Sequence, residues 1–394
     1  MSVIKYGKPA DWISYDFKEV ATPLAEAKAA VETLKLLPRT RDYTERWKAE
    51  QLRREAAGTS RIEGAEFTED ELDEALRETS AEYGLTHSQR QARAAEQTYR
   101  WLTALPSGYP FGGDLIKEIH RRIVRGCDDD HCEPGALRRS GQNVIFGLPQ
   151  HRGAEGGNEC GEALEELVRA ASREFGSHDP LIQSLAVHYH LAAIHPFLDG
   201  NGRTARAAEA FMLRKAGLQE EIFIPVSNFY YENNAEYLKV LSETAGKHGD
   251  LTDFVKFGLR GIKTLCKRAA GEIALHLRKS LFRERMHELF GKLESPRKRV
   301  IAERQMRLLN ILLEKGSLPA EDFAKEAVSR SLYSGLKKLD NAIQRDFKKL
   351  LDLEAVKVDE ATNEMSINLL WAEKMSEKEF KEKFDLLPKA RSYL

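Results

Sequence analysis

The sequence predicts a mainly α-helical protein with one short β-hairpin in its middle and a smaller helix-and-hairpin module near its C-terminal end. Three observations carry that expectation. Helical apolar spacing recurs from Ala21 to Phe290, with start signals at Thr68/Glu71, Thr86/Gln89 and Asp179-Pro180. Turn residues crowd between Gly135 and Gly156, around the strand-like run Asn143-Val144-Ile145-Phe146. After Ser295-Pro296-Arg297-Lys298-Arg299, which reads as a linker, the pattern changes to three helical runs and two strand-like ones.

The totals bound the class. A chain of 394 residues has room for two or three domains. Hydrophobic residues at 42% supply a core, and charged residues at 31% a hydrophilic surface. A net charge of −1 argues neither for nor against nucleic acid as a global partner. No apolar run approaches the roughly 18 residues of a membrane span. The N-terminus has no basic region followed by an apolar stretch, so a cytoplasmic protein without membrane contact is expected. The four cysteines are too irregularly placed for a disulfide framework.

In chain order, Met1 to Phe17 reads as an extended arm. Ala21 to Leu37 is helical and ends at Pro38, and Arg41 to Ala57 is a charged helix followed by a turn that Gly64 closes. Capping boxes open helices at Thr68 and Thr86, the second reaching about Leu102. Asp114 is expected to cap a helix through Val124, stopped by Gly126. Cys127 to Cys132 reads as a polar loop, because its spacing matches no common zinc pattern. A hairpin follows within Gly135–Gly156, then an amphipathic helix from Asn158 to Phe175. Asp179-Pro180 opens an apolar helix, Leu181 to Ile194. His188 and His190 on it have the wrong spacing for a metal pair with His195 and read as packing or supporting residues.

The chain is organised around what comes next, His195-Pro196-Phe197-Leu198-Asp199-Gly200-Asn201-Gly202-Arg203-Thr204-Ala205-Arg206. Pro196, Gly200 and Gly202 preclude one continuous helix, so the segment reads as helix, tight loop, helix to Ala216. Backbone amides freed by Gly200 and Gly202 open a helix whose positive end attracts anions. Arg203 and Arg206 are three apart and emerge on one side. Their forks suit phosphate oxygens. Asp199 is a hard ligand for Mg beside phosphates, and His195 is a general base. The glycines also fit a dinucleotide fingerprint, but that motif follows a strand, and here a helix precedes it.

This stretch resembles the signature of the Fic-domain family, histidine-x-phenylalanine-x-acid-glycine-asparagine-glycine-arginine-x-x-arginine, with every fixed position filled. The resemblance implies a Fic-type helical core with a β-hairpin flap, and transfer of AMP from ATP, with Mg2+, to a hydroxyl side chain of a protein. Relatives that act as kinases have a lysine where Gly202 stands. By resemblance, His195 deprotonates the Tyr, Ser or Thr hydroxyl and Asp199 holds the metal. Amides around Gly200, Asn201 and Gly202 cradle the α- and β-phosphates, Arg203 meets the β-phosphate and Arg206 the γ-phosphate. The flap would span about Arg138 to His151 and clamp the target segment by strand addition. Thr59-x-x-x-Glu63-Gly64 is similar to the family's inhibitory motif, here N-terminal to the core. A Glu63 carboxylate docked on Arg206 would occupy the guanidinium meant for the γ-phosphate. Ser227 to Leu241 reads as one helix with an aromatic face, and by resemblance Asn233 and Tyr237 line the base pocket.

Leu251 to about Phe290 is a long bracing helix. Beyond the linker, Gln305–Lys315, Pro319–Ala327 and Leu339–Leu351 are helices, and Val356–Val358 with Met365–Ile367 are strands. Three helices and a hairpin suggest a winged helix. Arg345, Lys348 and Lys349 on its third helix make DNA a possible partner beside a protein-interaction role. The last helix, Ser376 to Leu387, is charged. The expected divisions are residues 1–108, an N-terminal helical region with the inhibitory motif; 109–292, the core; 300–370, the winged helix; and 371–394, a tail. The expected function is an adenylyltransferase acting on a protein target, itself included, braked by Glu63 within the chain or across a homodimer. Removal of AMP through Glu63 and a nucleotide-sensing DNA-binding regulator are the alternatives. The motif restricts phosphate chemistry more than the base, so UMP or GMP transfer stays open.

Overall fold

The computed structural model describes residues 3–77, 84–106, 108–126, 132–147, 149–218, 222–247, 249–293, 296–329, 331–333 and 339–385. Among them no helix is long and apolar enough to cross a membrane. Of the Cys127–Cys132 loop only Cys132 lies within the described residues. The chain divides into two compact units, Met1–Gly271 and Glu272–Leu394. Residues 1–108 therefore share a unit with the segment that carries the signature.

In the first unit, α1 (Phe17–Leu36) and α2 (Arg41–Ile62) follow the arm. The second does not stop at Ala57. It runs on through Gly58, Thr59 and Ser60, all buried, and ends at Glu63. Gly58 stays helical because the helix is pressed against α9 (Val226–Glu232): a Cβ at Gly58 would stand 2.6 Å from the Asn228 backbone. Close backbone approach is the use to which a mid-helix glycine is put here. Helices α3 (Glu69–Leu76) and α4 (His87–Ala104) start at the two expected capping boxes. Helix α5 (Gly113–Ile123) departs from expectation at its start: its N-cap is Gly112, and Asp114 sits in the first turn. An acidic group there still meets the positive helix end.

The hairpin is shorter than its strand signal, β2 (Ile145–Phe146) antiparallel to β3 (His151–Arg152). The arm adds an unforeseen third strand, β1 (Ile4–Lys5), parallel to β3. In the order β1-β3-β2 the two edges are β1 and β2. After α6 (Asn158–Arg173), α7 (Pro180–Ile194) is capped by Asp179 and is apolar nearly all round. A helix with no polar face belongs at the centre. Neighbours close in until Gly258 of α11 (Thr252–Gly291) is needed, since a Cβ there would meet Leu185 at 2.2 Å. Helix α8 begins at Asn201 and ends at Met212, followed by a 3-10 turn. The expected single helix over Ser227–Leu241 is two, α9 and α10 (Asn234–Gly246), broken at Asn233. Asn233 donates to the Phe229 carbonyl both from its backbone N–H, at 3.1 Å, and from Nδ2, at 2.9 Å.

In the second unit, Pro296 is not part of a linker but the first residue of α12 (Pro296–Lys315), where a missing N–H costs nothing. Three further helices, α13 (Ala320–Ser329), α14 (Leu339–Asp352) and α16 (Glu377–Asp385), and the short α15 (Trp371–Lys374) follow in the chain. Strands β5 (Val356–Asp359) and β6 (Glu364–Ile367) form the expected hairpin, and the unforeseen β4 (Leu318–Pro319) pairs with β6. Phe380 and Phe384 bury the apolar face of α16 in a core with Phe282, Leu309, Leu350 and Trp371. Lys349 does not face solvent: it is 2% exposed, its ammonium bonded to the Lys383 carbonyl and lying over Phe384. Arg345 and Lys348 remain exposed.

Candidate functional site

Helix α7 ends at Ile194 because His195 turns left-handed, with φ 53° and ψ 59°. A non-glycine residue there is strained by roughly 1 kcal/mol. Its imidazole Nδ1 lies 3.2 Å from the Ala192 carbonyl. A carbonyl only accepts, so Nδ1 carries the proton and Nε2 keeps its lone pair. Phe146 of β2 stacks on the ring, centroids 3.9 Å apart and planes 10° from parallel. Burial pushes the pKa down to about 4, and the nearby Arg138 acts the same way. At neutral pH the ring is thus uncharged and ready to take a proton at Nε2.

Arg138, 2% exposed, ties the flap to this base. It donates from Nε to the His195 carbonyl at 2.8 Å, from Nη1 to Gln142 at 2.8 Å, and from Nη2 to the Ala154 carbonyl at 2.5 Å. Gly153 passes so close that a Cβ would meet His195 Cβ and the Ile194 carbonyl at 2.7 Å.

The loop itself is folded by side chains. Asn201 accepts from the Phe197 N–H and donates to the Phe197 carbonyl, both at 2.8 Å. His120 stacks on Phe197 at 3.7 Å, accepts from the Gly135 N–H at Nδ1, and so donates from Nε2 to the Asp199 carbonyl at 3.0 Å. Burial lowers its pKa to about 4. Gly200 has φ +71°, and a Cβ there would lie 2.5 Å from Val124 Cγ1, so both conformation and space demand glycine. The outcome is an α8 N-terminus whose first N–H groups have no intrahelical partner.

Two arginines rise from that helix. Arg203 is 1% exposed and gives one hydrogen bond, from Nη2 to Asp199 Oδ2 at 2.9 Å. Its Nε and Nη1 are buried without a partner among the described residues. The Asp199 side chain is 62% exposed. Arg206, 2% exposed, has a partner at every nitrogen instead. It donates from Nε to Thr59 Oγ1 at 2.9 Å, from Nη2 to the Thr59 carbonyl at 3.2 Å and to Glu63 Oε1 at 2.6 Å, and from Nη1 to the Tyr237 hydroxyl at 3.4 Å. Thr59 and Glu63 share one face of α2 at i, i+4. Gly202 makes room for the pair: a Cβ there would lie 2.4 Å from Glu63 Oε1. One turn earlier on that face, the buried Glu55 accepts from the Ser227 N–H at 2.8 Å and from its hydroxyl at 2.5 Å. Burial raises its pKa to about 7. Glu55 thus fixes α2 against the start of α9.

Beside Phe146 opens a cavity of about 810 Å³, lined by Ile4, Tyr6, His151, Leu238 and Leu241 among others. Neither Asn233 nor Tyr237 lines it. The helix break at Asn233 resets the register, so α10 turns Leu238 and Leu241 toward the cavity. Tyr237 is 2% exposed and stacks on Tyr230 at 4.7 Å.

The structure therefore gathers His195, Asp199, Gly200, Asn201, Gly202, Arg203, Arg206, Thr59 and Glu63 in one place, and Gly64 ends the turn with φ +87°. It adds residues that sequence reasoning passed over. His120, Gly153 and Glu209 carry no local signal, since each matters only through a partner far along the chain. Arg138 stood at the edge of the expected flap, but nothing nearby marked it as buried.

A family model described as the Fic/DOC family matches residues 110–213. A protein adenylyltransferase Fic from Nematostella vectensis is 32% identical over 152 residues, 37% of this chain and 31% of that protein. The matches cover about a quarter to a third of such curated relatives. A Fic family protein from Desulfovibrio desulfuricans G20 has a similar fold, with a TM-score of 0.56 at 17% identity over 90% of this chain and 98% of that one. Fic-1 from C. elegans aligns with a TM-score of 0.52 at 20% identity, over 64% of this chain and 73% of its own. The matched segment contains His195, the loop, both arginines and the hairpin, and it is this segment that is similar to the Fic/DOC family.

Proposed function

We propose that this chain is a Mg-dependent protein adenylyltransferase held in check by Glu63. The observation that carries the reading is the unequal state of the two arginines beside a neutral base: Arg203 has two buried nitrogens without partners, while Arg206 is tied to Glu63 at 2.6 Å. A polyphosphate laid along the α8 N-terminus would satisfy the Arg203 nitrogens, which otherwise carry a desolvation cost. Its terminal phosphate would need Arg206, and Glu63 holds that site first.

His195 Nε2 takes the proton of a Tyr, Ser or Thr hydroxyl. The hydroxyl oxygen attacks the α-phosphorus of ATP in line, the bond from that phosphorus to the bridging oxygen breaks, and pyrophosphate leaves. The product is a phosphodiester of AMP with the target, and His195 carries the proton until it passes to solvent. Helix-end amides and Arg203 stabilise the charge that develops on the phosphates. Asp199 suits Mg2+: among the described residues there is no group of three His, Cys, Asp or Glu side chains for a metal, and Mg2+ is usually held by one or two carboxylates plus substrate phosphates. When bound there, the ion neutralises phosphate charge.

The base end of the nucleotide would enter the cavity beside Phe146, with Leu238 and Leu241 as apolar walls. The target, another protein or this one, adds at the β2 edge. For the rest of the chain we retain residues 1–108 as the inhibitory region, 109–292 as the core, 300–370 as a winged helix and 371–394 as a tail. Helices α12 to α14 with the β4-β6-β5 sheet support the winged-helix reading. A duplex would meet Arg345 and Lys348, not Lys349.

The test is incorporation of label from the α-phosphate of ATP, with Mg2+, into the protein itself. Glu63→Gly is expected to incorporate at least about tenfold more than wild type, as loss of a charge-assisted bond to Arg206 implies. Adding His195→Ala to it should abolish incorporation. Equal labelling in wild type and Glu63→Gly would remove the brake.

A further inference from the structure

Behind Arg206 lies a chain of polar groups that the transfer chemistry does not touch. Arg206, Tyr237, His188 and Glu209 are all 2% exposed or less. They come from three helices: Arg206 and Glu209 sit one turn apart on α8, His188 on α7 and Tyr237 on α10. Their hydrogen bonds have one consistent direction. Arg206 Nη1 donates to the Tyr237 oxygen at 3.4 Å, because a guanidinium has no acceptor. The Tyr237 hydroxyl is 2.9 Å from His188 Nε2. His188 Nδ1 is 2.6 Å from Glu209 Oε2, a carboxylate oxygen that must accept. In the neutral ring that sets the Nδ1–H tautomer, with Nε2 accepting from Tyr237. Tyr230 completes the set by donating to Glu209 Oε1 at 2.8 Å.

A wholly buried carboxylate is retained only when it is bonded and charge-compensated. At the other end of the chain stands the buried cation Arg206. Arg206 thus has acidic groups on two sides, one bonded to it directly and one linked through the chain. Glu63, at 30% side-chain exposure, approaches from α2 and is removable. Glu209 sits inside α8 and cannot leave. When Glu63 yields, the chain still orients the guanidinium.

We infer that Tyr237, His188 and Glu209 are positioning residues that hold the Arg206 guanidinium in place for the terminal phosphate of a nucleoside triphosphate. The inference rests on the phosphate assignment proposed above. It gives Tyr237 a role through Arg206 rather than beside the base.

The test is calorimetric binding of ATP and of AMP, with Mg2+, to Glu63→Gly alone and combined with Tyr237→Phe or with Glu209→Gln. Both second substitutions keep side-chain shape, and thermal unfolding checks that each variant is folded. Tyr237→Phe should weaken ATP about tenfold, the scale of a bond to a charged group, and leave AMP within about twofold. Glu209→Gln should act in the same direction and less strongly. A merely structural role would weaken ATP and AMP by the same factor, and that result, or no change in either, overturns the inference. So does a Glu63→Gly protein that binds ATP no better than AMP, since Arg206 then meets no terminal phosphate. Label transfer in the same proteins separates the two readings. A preference for ATP that depends on Tyr237, without any transfer, would refute the transferase and leave the positioning chain standing.

Discussion

Arg203 and Arg206 sit one turn apart on the same helix, equally buried, and their surroundings are opposite. Arg203 faces the loop side, with Asp199 as its one hydrogen-bond partner and two nitrogens unmet. Arg206 faces α2 and α10 and is bonded to Thr59, Glu63 and Tyr237. Equal burial with unequal satisfaction marks different tasks. An unmet buried donor is unfavourable until an anion arrives, so Arg203 is poised for ligand. A donor with every nitrogen already bonded must give up a partner first, so in the proposed reading Arg206 is the point of control. Two arginines at i, i+3 look alike in sequence, and only their partners separate them.

The largest effect is expected on the receptive side. Arg203→Ala in the Glu63→Gly protein should reduce label transfer about a hundredfold, the cost of removing one preorganised donor. A loss under about threefold, measured at saturating ATP, would mean that Arg203 meets no transferring phosphate.

The controlled side should respond the other way. Thr59→Val keeps the side-chain shape and removes the oxygen that accepts from Arg206 Nε. Self-labelling should rise about fivefold over wild type, short of the Glu63→Gly level, because one bond to the guanidinium is lost and the ion pair is loosened. Unchanged labelling would leave Glu63 as the whole brake.

The smallest effects lie in stability against pH, and the two sides have opposite signs. His120, beneath the Asp199 carbonyl, has its pKa lowered to about 4, from an ordinary value near 6.5. The unfolded chain then binds more protons between those values, so this stabilisation is lost as pH falls from about 6.5 toward 4. Glu55, which fixes α2, is raised to about 7. Its contribution is complete below the ordinary carboxylate range near 4.5 and is lost as pH rises through about 7. His120→Gln should flatten the acid side of a thermal unfolding profile, and Glu55→Gln the neutral side, each by about 2–4 °C. Identical profiles in both variants would erase the contrast.

Much of the site could be read from the sequence because it is local. His195 to Arg206 is one run of twelve residues, and the loop's geometry follows from its proline and glycines. The capping boxes at Thr68 and Thr86 were legible for the same reason: a cap is satisfied within four residues. Errors arose where a distant partner decided. Gly58 looks like a helix end, yet α9 packs on it and α2 continues. The run Ser227 to Leu241 looks like one helix, yet it breaks at Asn233, and Leu238 and Leu241 turn to the cavity. Lys349 looks like a DNA-facing cation until Phe384 folds over it.

The sequence by itself determined the helical class, the glycine- and arginine-bearing loop with its histidine, and the spacing that lets Thr59 and Glu63 share a face, because all of these depend on covalent neighbours and helical periodicity. Tertiary structure alone decided that Glu63 reaches Arg206, that Phe146 covers His195, that Arg138 binds flap to loop, and that Glu209 answers Arg206 through His188 and Tyr237. Those contacts join residues tens of positions apart or more, and nothing in a local pattern specifies which buried donor will find which acceptor. Burial makes each pairing obligatory, and the packing of α2, α7, α8 and α10 makes it specific.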